Sequence, residues 1–173
     1  GDKVEIASGG SYVIRFQDTG FWLAKYAARK GYHKPTGTIA LNYCNNLRIF
    51  RYAETLLAYA ELVGVEGVAE QKGISAQQCL DMVRDRAFGD TNHRVAVNKQ
   101  NIINENHYEF VGEGHRYYDV VRWGITEVLN VDNVPGINSA RTWKSHNKYV
   151  AIPQGDIDAT KGTEFELKQN EGY

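Results

Sequence analysis

Two cysteines stand in 173 residues, Cys44 and Cys79, too far apart for a metal knuckle or a redox Cys-x-x-Cys. Cys79 falls on the apolar side of an expected helix, so two buried thiols are the simpler expectation. The chain also lacks a charge excess. Lys and Arg total 20 against 21 Asp and Glu, so nothing draws it to nucleic acid or to an anionic membrane. No apolar run approaches the roughly 18 residues that a membrane-spanning helix needs. No secretory signal opens the sequence. It starts at Gly1-Asp2-Lys3 without methionine, which reads as a cut or mature fragment. The length suits one domain, and a 42% hydrophobic share is ordinary for a globular protein.

Cofactor and catalytic signatures are missing too. There is no Gly-x-Gly-x-x-Gly, no P-loop, no Gly-x-Ser-x-Gly elbow and no His-Glu-x-x-His. A di-metal bundle needs Glu-x-x-His on two helices. Here His33, His93, His107, His115 and His146 are scattered, and His107 reads as a core histidine on an apolar stripe. No cofactor and no metal are expected.

What is present is helical. Residues 1–46 are rich in Gly, Tyr and Thr and read as loops with a short hairpin near Tyr12-Val13-Ile14. From about Leu47 to Val63 the residues Ile49, Ala53, Leu56, Ala60 and Val63, with Leu57 beside them, predict an amphipathic helix stopped by Gly64. Arg51 and Glu54 are spaced there for an i,i+3 pair. Ser75 with Gln78 forms a capping box for a second helix with the stripe Ala76, Leu80, Val83 and Ala87. Two such helices form a hairpin of the kind that stacks in solenoids. Residues 125–173 read as mostly irregular, with a strand-like run Tyr149–Ile152.

Glu105 to Gly124 is the most informative stretch. Ile103, His107, Phe110, Gly114, Tyr117 and Val121 step by four and three along one face. Glu105, Glu109 and Glu113 step by four along another, and Arg116 continues the row. Gly112 and Gly114 interrupt the pattern, so two helices or one kinked helix are expected. The acids are either a site or internal ion pairs. A glycosidase needs two acids across a cleft, and acids on one face cannot bracket a sugar alone. Asp119, Glu54 or Glu61 would have to supply the partner. Acids interleaved with arginines at helical spacing are more commonly ion pairs.

Aromatics are the remaining resource: eleven Tyr, six Phe and three Trp. Rings can cover the C–H faces of sugars in concave sites. Tyr12, Trp22, Tyr26 and Tyr32 cluster in the loop-rich region and Trp143 lies in the last one, so these five are the candidate ligand contacts. Structural packing competes with that reading at each. Tyr118 and Trp123, inside helical segments, read as packing residues.

Four segments, in order, resemble the C-terminal part of the SusD/RagB family of outer-membrane nutrient-binding proteins. They are Arg51-Tyr52-Ala53-Glu54, Val83-Arg84-Asp85-Arg86-Ala87, the run Glu105–Gly124, and the closing Ile152-Pro153-Gln154 with Gln169-Asn170-Glu171-Gly172-Tyr173. Asn106 and His107 replace the family's arginine pair, Gly112 its phenylalanine and Glu171 its last proline. The resemblance implies a mainly α fold with extensive loops, built on tetratricopeptide-like helix pairs. Residues 1–46 would be a loop-rich segment and 47–173 the C-terminal helical domain of a longer parent.

It also implies a non-catalytic binder. Such a protein captures glycans, or in some members peptides, and passes them to a SusC-like TonB-dependent transporter. It would be held at the outer face of the outer membrane by a lipid anchor on the absent N-terminal part. A helical scaffold for a protein partner and a glycoside hydrolase are the other readings. Under the resemblance Arg51, Glu54, Arg84, Glu109, Glu113, Arg116, Asp119 and Arg122 form a structural ion-pair network that ties helices together. Arg116→Ala is then expected to unfold the domain, and Trp22→Ala to weaken glycan binding without unfolding it.

Overall fold

In a computed structural model the described residues are 3–5, 11–13, 23–26, 44, 46–135 and 138–173. Their order is β1 (Lys3–Glu5), β2 (Ser11–Val13), α1 (Tyr52–Gly64), α2 (Ala76–Phe88), α3 (Lys99–Glu109), α4 (Arg116–Trp123) and α5 (Gln154–Thr160), with short 3-10 turns at Ala24–Tyr26, Thr126–Leu129 and Ser145–Lys148. The strands pair antiparallel, with Val4 opposite Tyr12. The chain divides into two units: Gly1–Val13 with Phe21–Tyr117, and Ile14–Gly20 with Tyr118–Tyr173.

In the first unit α1 packs against both α2 and α3. Leu56, Leu57 and Ala60 from α1 meet Ala76, Cys79, Leu80 and Val83 from α2, and Ile102 and Phe110 close the core. Leu57 and Leu80 are wholly buried. Each such side chain contributes about 1.5–3 kcal/mol of transfer free energy. The Cys79 thiol is buried, and burial pushes its pKa up. Cys44 is exposed, contrary to the expectation of two buried thiols.

The first helix starts later than its periodicity predicts. Leu47, Ile49 and Phe50 are exposed, Ile49 to 83%. Arg51 is extended, at φ −134 and ψ 153, with no side-chain cap. Its side chain is held by two glutamates further along the chain, so its backbone is fixed outside the helix. The far end is tight: a Cβ on Gly64 would lie 2.3 Å from Val97 Cγ1.

The second helix follows its local signal. Ser75 Oγ accepts from Gln78 N, while Ser75 N donates to Gln78 Oε1 at 2.8 Å. Gly89 closes the helix in the left-handed region, at φ 76, and its N–H donates to the Asp85 carbonyl. Glycine takes that conformation without a Cβ penalty. Of the expected stripe, Ala76, Leu80 and Val83 are buried, whereas Ala87 is exposed.

Asn98 caps α3, its Oδ1 accepting from Asn101 N at 2.9 Å. The helix buries Ile102, Ile103, Glu105 and Asn106 and ends at Glu109. His107 is exposed, not a core histidine. Of the expected face Ile103 and Phe110 are buried, whereas His107, Gly114 and Tyr117 are exposed. Gly112 and Gly114, at φ 76 and 85, then turn the chain before α4, so two helices form.

In the second unit, Val131 and Arg141 exchange both backbone hydrogen bonds at 2.8 Å. The run Tyr149–Ile152 is not a strand. Side chains of the last residues bind it instead. Gln169 Oε1 accepts from Ile152 N and Gln169 Nε2 donates to Ile152 O, both at 2.9 Å. Asn170 Nδ2 donates to Val150 O, and Tyr173 Oη to Tyr149 O, each at 2.7 Å. Gly172 lies against His146, where a Cβ would come within 2.6 Å.

Candidate functional site

The glutamate row of α3 ends in a closed knot of charge. Arg51 Nε donates to Glu113 Oε2 at 2.7 Å and Nη2 to Glu113 Oε1 at 2.9 Å. Arg51 Nη1 donates to Glu109 Oε1 at 2.6 Å, and Nη2 also reaches the Glu109 carbonyl at 3.1 Å. Lys25 Nζ donates to Glu113 Oε1 and to the Glu109 carbonyl, and Arg86 Nη2 to Glu109 Oε2. Three cations thus share two carboxylates.

Burial opposes the Glu113 charge, but hydrogen bonds from Arg51 and Lys25 outweigh it and hold the carboxyl below its usual range. Burial likewise opposes the Arg51 charge, and the two glutamates raise its pKa despite that. A second tie joins α2 to α3, where Arg84 Nη1 donates to buried Glu105. On the surface Arg94 forks onto Asp85 at 2.9 and 2.6 Å.

These acids are engaged and shielded. A hydrolytic pair would need two carboxyls facing across open space, one of them with a raised pKa. Glu113 is shifted the other way. Among the described residues no group of three His, Cys, Asp or Glu side chains could hold a metal ion. No helix among them is long and apolar enough to cross a membrane.

Several expected members of the network stand elsewhere. Glu54 does not pair with Arg51; it faces the His115 imidazole, 3.9 Å away. An arginine fixed ahead of the first turn by Glu109 and Glu113 is not free to bridge along α1. Asp119 and Arg122 pair with each other at 3.0 Å within α4. Arg116 has no ion pair among the described residues, and its Nη1 is buried without an acceptor. The row from Glu113 to Arg116 assumed continuous helix, and the Gly112–Gly114 turn breaks it. Loss of the network therefore gives no reason for Arg116→Ala to unfold the domain.

Two members went unseen. Lys25 lies in a region without period, so nothing marked it. Arg86 did carry a signal, being two residues past Arg84 in Val-Arg-Asp-Arg-Ala.

The ring residues are less gathered. Trp22 and Tyr32 lie outside the described residues. Tyr12 belongs to β2. Tyr26, half-buried in the first unit, has the Arg48 guanidinium 5.4 Å from its ring centre. Trp143, half-buried in the second unit, donates its backbone N–H to Asn130 Oδ1 at 2.7 Å.

Described residues of the first unit line two clefts, among others. One, of about 400 Å³, runs between α1 and α2, with Leu56 and Val83 among its apolar lining and Arg51, Tyr52, Met82 and Arg86 around them. The other, of about 280 Å³, lies at the Gly112–Gly114 turn.

Solved proteins share this fold. Surface glycan-binding protein A from Bacteroides fluxus is 54% identical, with a TM-score of 0.82 over 96% of this chain and 35% of that one. Surface glycan-binding protein A from Bacteroides thetaiotaomicron, in complex with laminarihexaose, is 44% identical, with a TM-score of 0.74 over 94% of this chain and 33% of that one. SusD-like protein P25 from Formosa agariphila is 33% identical over 91 residues, 49% of this chain and 16% of that protein. The chain therefore spans about a third of the solved proteins it matches. The sequence pattern of the SusD family matches residues 9–173, and the chain belongs to that family.

Proposed function

We propose that the protein containing this chain captures glycans at the cell surface without altering them. The observation that carries this is the 54% identity, over 96% of the chain, to a surface glycan-binding protein. The laminarihexaose complex of a second relative makes laminarin oligosaccharides the first ligands to try. The packing agrees with a binder, since Glu105, Glu109 and Glu113 are engaged in internal pairs.

Family membership supports the rest of the reading. The bound glycan passes to a SusC-like TonB-dependent transporter, and the protein works at the outer face of the outer membrane on a lipid anchor. Its recognition surface is made by rings, for which Tyr12, Trp22, Tyr26, Tyr32 and Trp143 remain the candidates. The helix pair α1–α2 with its ion ties is the frame that holds the loops in place.

Calorimetry of the full-length protein with laminarihexaose tests this, alongside chromatography of the recovered sugar. Saturable binding with the hexasaccharide intact is the expected result. Shortened oligosaccharides would move the protein among the hydrolases. Silence across a panel of glycans, with binding to peptides instead, would make it a peptide-capturing relative.

A further inference from the structure

In the first unit Arg51, Arg84, Arg86 and Arg94 each meet a carboxylate. Among the described residues Arg48, which is exposed, and Arg116 meet none. Arg116 is half-buried, its Nη1 is inaccessible, and among the described residues no acceptor meets its guanidinium. An unpaired charge taken even partly out of water is costly, so such a group is normally given an anion.

Arg116 lines the second cleft, with Asn106, His107, Phe110, Gly112 and Tyr117. The lining is chiefly apolar, and Asn106 Nδ2 already donates to the Ile102 carbonyl at 2.9 Å. Glu113 sits beside the turn but is taken by Arg51 and Lys25. No carboxylate of the knot is therefore left over for Arg116.

We propose that this cleft is a carboxylate site, in which the Arg116 fork receives one carboxylate carried on an apolar stem. A planar guanidinium offers two parallel donors that match a carboxylate. One cation suits a single negative charge. Walls of Phe110, Val111 and glycine backbone suit a hydrocarbon stem better than a hydroxyl-rich sugar acid, whose other groups would find few partners. The carboxylate comes either from a small acid in solution or from an Asp or Glu side chain of the same polypeptide. His107 reports on the site, because desolvation and then the Arg116 charge hold its imidazole below the usual range.

Sodium butyrate is titrated into the full-length protein against sodium chloride at equal ionic strength. The readouts are the His107 imidazole resonances and the melting temperature, with sodium glucuronate as the hydroxyl-rich comparison. For an acid from solution, butyrate binds saturably, raises the His107 titration midpoint above its value in chloride, and outcompetes glucuronate. Arg116→Met then weakens it by about tenfold or more. For an acid of the same polypeptide, butyrate finds no room, and Arg116→Met lowers the melting temperature by an amount that Arg116→Lys largely recovers. The proposal is overturned if butyrate leaves His107 unmoved while Arg116→Met melts like the parent, or melts lower without recovery by lysine. Equal binding of butyrate by Arg116→Met overturns it too.

Discussion

Arg51 and Glu113 stand 62 residues apart in the chain and meet through two hydrogen bonds, at 2.7 and 2.9 Å. The Glu113 side chain is 2% exposed and that of Arg51 21%. Removing the arginine leaves the shielded Glu113 to Lys25 alone and Glu109 to Arg86. Arg51→Met should cost about 1.5–3 kcal/mol of unfolding free energy, the loss of charge-assisted hydrogen bonds that the remaining cations only partly replace. Arg51→Lys keeps the charge but loses the fork, and should cost about half as much. Urea unfolding of the full-length protein measures both, and a melt unchanged in Arg51→Met would show that the knot holds nothing together.

The same contact sets a pH dependence. Glu113 titrates lower folded than unfolded, so its contribution is fully present above the ordinary carboxylate range. It is lost as pH falls through that depressed value. Melting temperature should drop more steeply in acid for the parent than for Glu113→Gln, the two curves converging once both carry a neutral group. Parallel curves down to the acid limit would contradict the assignment.

Gly64→Ala inverts a rule of thumb. Alanine favours a helix over glycine by about 1 kcal/mol. At this position its methyl would press into Val97, 2.3 Å from Cγ1, with Ala76 Cβ at 3.0 Å. The substitution should destabilise by about 1–3 kcal/mol, and Val97→Ala in the same chain should recover part of it. A stabilised single variant would mean that the Ala76–Val97 wall yields easily.

Ser75→Ala deletes the acceptor for Gln78 N at the start of α2. The expected loss is about 1 kcal/mol. Gln78→Ala, which removes the reciprocal bond to Ser75 N, should be partly non-additive with it. Thermal melts of the two single variants and the double variant decide this.

For recognition, Trp22→Ala and Trp143→Ala in the full-length protein should weaken laminarihexaose binding several-fold while leaving the melt unchanged. Calorimetry beside a thermal scan separates the two effects. Retained affinity in both variants would take the rings at these positions out of the site.

How much of this was legible depends on the range of each interaction. The Ser75–Gln78 box is a bond between residues three apart, so sequence alone defines it. The start of α1 was not legible, because Ile49 keeps the helical period yet finds nothing to pack on, while Arg51 is drawn away to α3. Glu109 and Glu113 were readable as ion-pair formers, but their partners Lys25, Arg51 and Arg86 come from three separate stretches. Arg116 was misplaced for one reason: a spacing of three means a shared face only while the helix continues, and two left-handed glycines end it.

The stitching of the final residues onto 149–152 has a practical corollary. Four backbone groups there, the carbonyls of Tyr149, Val150 and Ile152 and the N–H of Ile152, rely on Gln169, Asn170 and Tyr173. Clipping the chain before Gln169 would unbutton this seam and hand those groups to water, making 149–152 a fresh target for proteases.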